Sequence, residues 1–150
     1  MHLKPFGNGK YFMFGATSIA VRAIECVRTE RSDLLVSIFD ATGTAVGSQS
    51  IDLAFNDYPR SVDFTSNNEI ILLSDGATEG DPYDYTPYLS KLNSDLIVEW
   101  SEELTFISDG FNQAISVHAM GNNKYAVLLG RQHRLLNLHE FKLIIVTENE

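Results

Sequence analysis

The stretches SVDFTSNNEI (residues 61 to 70) and SVHAMGNNKY (residues 116 to 125) carry Ser, Val, Asn and Asn at four matching positions, each displaced by 55. A chain that writes the same strand, turn and strand twice must build equivalent sheets and then find a way to pack them. The surrounding pattern agrees. The apolar runs KYFMFGA, DLLVSIFD, SVDFT, EIILLS, YTPYLSKLN, LIVEWSEEL, QAISVHAM, KYAVLLG and FKLIIVTE are short, rich in β-branched and aromatic residues, and bounded by Gly, Asn, Asp or Pro. Asn8-Gly9, Asn67-Asn68 and Asn122-Asn123 sit between runs, where tight hairpins demand the positive φ that Asn and Gly tolerate. The chain therefore reads as all-β. Residues 17 to 33 fit least well: Ala20, Ala23, Ile24 and Val27 have helical spacing behind the candidate caps Thr17 and Ser18, yet Ile19, Val21 and Ala23 alternate. We read them as a strand followed by a long loop.

The repeat extends over the whole chain. GNGKYFMFGATS aligns with SNNEIILLSDGAT at an offset of 59, and that string aligns with GNNKYAVLLGRQH at a further 55, which makes Lys10, Glu69 and Lys124 equivalent. At an offset of 53, DLLVSIFDATGTAVGSQSID aligns with TPYLSKLNSDLIVEWSEEL, placing Asp40 on Asn93, Gly47 on Trp100 and Ser48 on Ser101. Three units follow, approximately 1–56, 57–110 and 111–150, within one domain. A full unit is written as four antiparallel strands, the grammar of a propeller blade, and the last stops after FKLIIVTENE, its third.

The string YLSKLNSDLIVEWSEELTFISDGFNQAISVHAMGNNKYAVLLG resembles the repeats of bacterial β-propeller proteins of the quinoprotein-like type, over about two and a half blade-like units. The resemblance implies antiparallel four-stranded blades in a partial or oligomer-completed β-propeller. An open β-sandwich is the alternative. Of the tryptophans such repeats carry, Trp100 alone is present, and the quinone-binding residues of true quinoproteins have no counterpart, so no cofactor is implied.

Strand edges are the next concern. An incomplete array leaves them bare near residues 10 to 16 and 141 to 147, which invites pairing with a second copy or marks a part of a longer chain. Tyr11, Phe12, Phe14, Leu35, Ile38, Val62, Ile71, Leu73, Leu89, Leu92, Val117, Val127, Leu129, Leu143 and Ile145 form the expected core, with Trp100 packed between sheets.

Charge narrows the partners. With 11 basic and 20 acidic residues the net charge is −9, which repels phosphate backbones and anionic bilayers, so neither nucleic acid nor membrane is expected. The acids concentrate between residues 32 and 110, where fifteen face two basic residues, while both ends are mildly basic. No apolar run reaches the roughly 20 residues of a membrane span or forms a signal-peptide core, so the reading is a soluble chain, extracytoplasmic if it belongs to an exported propeller. The single cysteine, Cys26, reads as a small buried apolar residue.

Chemistry is thinly written. SDGATEGDPYDYTPY (residues 74 to 88) gathers Asp75, Glu79, Asp81 and Asp84 without a basic residue, a set of hard oxygen ligands that could hold calcium on a loop. Its spacing is neither that of an EF-hand nor that of the Asp box of sialidase propellers. Tyr83 and Tyr85, stiffened by Pro82 and Pro87, suit a protein or glycan partner, because rings stack on apolar faces while hydroxyls and carboxylates take the hydrogen bonds. His2, His118, His133 and His139 show no metal-ligand spacing, and no nucleophile motif is present. The expectation is a non-catalytic binding or scaffolding module, with a propeller hydrolase as the alternative. A hydrolase would need converging carboxylates in a cleft; a binding module would show an exposed aromatic patch.

Overall fold

The computed structural model describes residues 1–20, 30–78, 81–104, 111–132 and 139–148. Among these there is no helix, and hence none long and apolar enough to cross a membrane. The strands are β1 (His2–Phe6), β2 (Lys10–Ala20), β3 (Glu30–Phe39), β4 (Ala45–Ile51), β5 (Asn56–Phe64), β6 (Ile70–Thr78), β7 (Asp81–Leu92), β8 (Val98–Glu103), β9 (Phe111–Gly121), β10 (Lys124–Gln132) and β11 (His139–Thr147). They form three antiparallel meanders. β1 to β4 make the first sheet, β5 to β8 the second and β9 to β11 the third; the first two touch through one parallel bridge, Ser32 to Asn56. The array is open, with blade-like sheets whose limits follow the units of the repeat.

The turns show why the sequence repeats. Gly7, Asn8 and Gly9 hold positive φ in a three-residue hairpin loop, Asn122 and Asn123 do so in a two-residue one, and Asn68 does so at 61° behind a turn closed by Asn68 N–H donating to the Thr65 carbonyl. The third-to-fourth-strand turns are also equivalent. Asp40 Oδ1 accepts from the amides of Thr42 and Thr44 (2.9 and 3.0 Å), and Asn93 Oδ1 accepts from those of Asp95 and Ile97 (3.0 and 3.0 Å). One strand further in, Ser37 and Ser48 share a hydroxyl hydrogen bond of 2.8 Å, repeated by Ser90 and Ser101 at 2.8 Å. Both pairs are 53 residues apart, the offset read from the sequence. The same turn places Gly43 (φ 84°) in the first sheet and Leu96 (φ 67°) in the second, where Leu96 accepts an awkward backbone in order to bury its side chain beside Gly47.

Packing gives each sheet a backward and a forward face. Phe12, Phe14, Val36 and Ile38 look forward from the first sheet onto Val62, Ile70, Leu72 and Leu92 of the second, forming one core. Ile71, Leu73 and Leu89 look forward from the second sheet onto Val117, Tyr125 and Val127 of the third, forming another. β6 therefore serves both, and its residues 70–77 are all buried. That explains EIILLS: a strand covered on both faces is a continuous apolar run, with no polar side to alternate. Trp100 is half-buried against the second core, 5.9 Å from the Tyr125 ring.

Three residues read as core are not. Tyr11, Leu143 and Ile145 are 44%, 66% and 52% exposed, because they lie on the backward face of the first sheet and the forward face of the third, which nothing among the described residues covers; Leu35 is half-buried for the same reason. The expected bare edge at residues 10 to 16 is also corrected, since β2 is paired by β1 on one side and β3 on the other. β11, by contrast, pairs only β10 among the described residues. The edge of β9 that no described strand pairs is handled differently. Its amides at Ala114, Val117 and Ala119 donate to Asp75 Oδ1 (2.7 Å), Ser61 Oγ (3.3 Å) and Asp63 Oδ2 (2.9 Å) on the forward face of the second sheet, so side chains replace the missing strand.

Because Ile70 and Ile71 belong to different cores, shaving one methyl from each tests the stack. Ile70→Val and Ile71→Val should each cost about 1 kcal/mol in urea unfolding, and the double variant about the sum, although the residues are adjacent in sequence.

Candidate functional site

One rim of the array gathers the polar chemistry. The starts of β3 and β5, the ends of β4 and β6 and the start of β7 meet there, as the registers Ser32 to Asn56, Leu34 to Ile51, Asn56 to Ala77 and Ala77 to Tyr85 require. Two clusters result.

The first is built on Asp75. This residue is a fully buried member of β6, and its Oδ2 accepts from Arg60 Nε at 2.6 Å while Oδ1 accepts from the Ala114 amide. Burial pushes its carboxyl above the usual range, and the Ala114 amide and Arg60 act in the opposite direction without cancelling it. Arg60 in turn lies 5.8 Å over the Tyr85 ring, whose edge meets Tyr58 at 5.5 Å. Tyr58, Arg60 and Tyr85 are half-buried, so each keeps an exposed side at the rim. Gly76 next door is obligatory: a Cβ there would lie 2.5 Å from Ala54 and 2.7 Å from the Tyr88 ring.

The second cluster is Asp33, Asp52 and Asp57, one carboxylate oxygen of each lying within 4.8 Å of the others. Asp57 is fully buried; its Oδ2 accepts from the amides of Leu53 (3.0 Å) and Ala54 (3.4 Å). Its Oδ1 and Asp33 Oδ1 have no hydrogen-bond partner. Arg31 supplies the counter-charge, bonded to Asp52 and 3.7 Å from Asp33. Three hard oxygens in this arrangement have the chemistry to ligate calcium, in competition with the Arg31 guanidinium. Burial pushes the Asp57 carboxyl from 3.8 up to about 6; the Leu53 and Ala54 amides oppose the rise, and Asp52 and Asp33 add to it.

The sign for stability follows directly. A carboxyl that holds its proton more tightly when folded stabilises the fold at low pH, and that advantage is lost as pH rises from about 4 to about 6. Asp57→Asn, which keeps an acceptor for the two amides and removes the buried charge, should therefore raise stability at pH 7 by about 2 kcal/mol and leave it unchanged near pH 4, as read by urea unfolding across pH.

The residues singled out in the sequence divide. Asp75 is placed in a strand and both its oxygens are taken, so it is not a loop ligand; Tyr85 stands at the rim. Glu79 and the side chains of Asp81, Tyr83 and Asp84 lie outside the described residues. The Asp33, Asp52 and Asp57 cluster escaped notice because its members are 19 and 5 residues apart and fit no motif. Asp33 and Asp52 do delimit one repeated string, DLLVSIFDATGTAVGSQSID, which would have suggested that they meet across the β3–β4 hairpin. His118 is exposed and bonds through Nδ1 to Asp63 at 2.8 Å, its equivalent in the previous unit.

A further charged group sits between the second and third sheets, away from this rim. Lys91 Nζ lies 3.0, 3.3 and 3.1 Å from Glu69, Glu99 and Glu148, and the Tyr125 hydroxyl donates to Glu148 at 2.9 Å. Burial alone would lower the Lys91 pKa, but the three carboxylates hold it well above the ordinary lysine value. No family model matches the chain, and no curated protein sequence matches it.

Proposed function

We propose that the protein is a non-catalytic binding and scaffolding module built from propeller-type repeats, which presents the rim around Tyr58, Arg60 and Tyr85 to a protein or glycan. The supporting observation is how the polar groups are used. Asp75, Ser61 and Asp63 are spent on holding the third sheet, while the two tyrosines and the guanidinium keep an open side on strands that are rigidly packed. Aromatic rings beside a hydrogen-bond donor on a firm platform suit recognition with little ordering cost. Panels of immobilised glycans and of peptides provide the test. A ligand from either panel should lose about tenfold or more in affinity on Tyr85→Ala with the thermal midpoint nearly unchanged, and binding insensitive to Tyr85 and Tyr58 would reject the rim.

The convergence of Asp33, Asp52 and Asp57 favours a second reading, a propeller hydrolase that uses Asp57 as an acid whose proton is retained to about pH 6. Hydrolysis of chromogenic glycosides that fades above pH 6 and vanishes in Asp57→Asn would replace the first reading with this one.

A further inference from the structure

The two uncovered faces of the stack are the two halves of the joint that already holds its sheets together. Within the second sheet the backward face pairs Val62 with Leu72 and Ile70 with Leu92, all 1% exposed or less. The first sheet repeats that face with Leu3 paired to Met13 and Tyr11 to Phe39, and there Leu3 is 63% exposed and Tyr11 44%. The forward face of the second sheet pairs Leu73 with Leu89, both fully buried; the third sheet repeats it with Leu128 paired to Leu143, the latter 66% exposed. Such positions are apolar because their equivalents are core. Single chains rarely leave two apolar faces of this kind in water.

Shape and polar contacts follow the same rule. Ile145 occupies the place of Ile38, which belongs to the same buried cluster as Ile70 and Leu92. The equivalents of Ile70 and Leu92 on the first sheet, Tyr11 and Phe39, line a hollow of about 510 Å³ on its outer face. On the first strand of each sheet, one side chain reaches forward to the next: Lys4 Nζ donates to the Val62 carbonyl, and Asp63 accepts from the Ala119 amide. His118 holds that position in the third sheet, 76% exposed but with its Nδ1 turned back to Asp63 at 2.8 Å, so it is not among the groups that make the joint.

We infer that the forward face of the third sheet docks on the backward face of the first sheet of a second copy of this chain, with Ile145 entering the hollow between Tyr11 and Phe39. Each copy carries one face of each kind, so identical chains are complementary head to tail, and the new joint continues the two internal ones. Heterologous contacts of this sort either close or propagate. Two copies supply six sheets, within the roughly four to eight of a closed propeller, so a pair closes the ring with both joints made. The inference is independent of what the rim binds.

Sedimentation velocity over a hundredfold range of protein concentration tests it. The expected result is one species at twice the 16.8 kDa of the chain, with no larger form at the highest concentration. Ile145→Lys and Tyr11→Glu, each at an exposed site, should raise the dimer Kd by about a hundredfold or more while the thermal midpoint of the monomer is retained. Mixing the two variants should restore a dimer, since one joint is then native and the other sets Lys against Glu. Ile97→Lys, at an exposed turn, should leave the dimer intact. A wild-type monomer throughout, or a dimer that survives both single substitutions, would overturn the joint; a species that grows past the dimer with concentration would overturn the closed pair.

Discussion

Asp75→Ala is expected to cost the fold about 3 to 5 kcal/mol, enough to unfold a domain of ordinary stability. The residue is fully buried and its two oxygens serve two different elements: Arg60 of its own sheet at 2.6 Å and the Ala114 amide of the third sheet at 2.7 Å. Removing the carboxylate strands a half-buried guanidinium and leaves a buried amide without a partner, and the desolvation of both is what the variant loses. Asp75→Asn is the informative control. Its amide oxygen can still accept from Ala114, so it should lose less than half as much. Urea unfolding measures both; equal losses for the two variants would mean that the Arg60 contact, and not the cap on β9, carries the effect.

Lys91→Met is expected to cost about 3 kcal/mol at pH 7 and progressively less as the pH falls towards 5. The ammonium is 7% exposed and neutralises Glu69, Glu99 and Glu148, which are 26%, 39% and 22% exposed. Partial exposure keeps the expected loss below that of a fully buried pair. In the wild type, burial would raise the Glu148 carboxyl, but the Tyr125 hydroxyl and Lys91 outweigh it and hold the group below its usual value. That contribution is present above the unfolded value of about 4.5 and is lost as pH falls through the folded one. Without the lysine, Glu148 loses the partner that holds its value down while Glu69 and Glu99 remain nearby, and the cost of the substitution shrinks as pH falls from 7 towards 5. The thermal midpoint of the variant should therefore climb towards that of the wild type as pH falls across that range; a gap that stays constant would reject the role assigned to Lys91.

Much of the architecture was legible because repetition doubles every local signal. Ser37 with Ser48 and Ser90 with Ser101, or the Asp40 and Asn93 turns, are each weak alone and become firm at a shared offset of 53. What could not be read was which face of a repeated strand would be covered, since Tyr11, Leu143 and Ile145 carry the same apolar signature as their buried equivalents. Alternation reports that a face is made to be buried, not that a neighbour is present. The candidate site was less legible still. Asp75 reads as a loop acid in SDGATEGD, and only the register of β6 with β5 and β7 shows that it is interior. Asp33, Asp52 and Asp57 converge through tertiary placement that no spacing encodes.

The double burial of β6 also bears on the order in which the chain can mature as it is synthesised. The forward-facing Phe12, Phe14, Val36 and Ile38 of the first sheet have all been made by Phe39, yet their cover comes from Ile70, Leu72, Leu92 and Leu96. At about 5 to 20 residues per second, the ribosome needs roughly 3 to 11 seconds to extend the chain from there to Leu96. Through that interval three strands, and after Ile51 four, exist with Phe12, Phe14, Val36 and Ile38 open to any other nascent chain, and the vulnerability of the protein in a crowded cell is set by the speed of translation through residues 40 to 96 more than by the stability it finally attains.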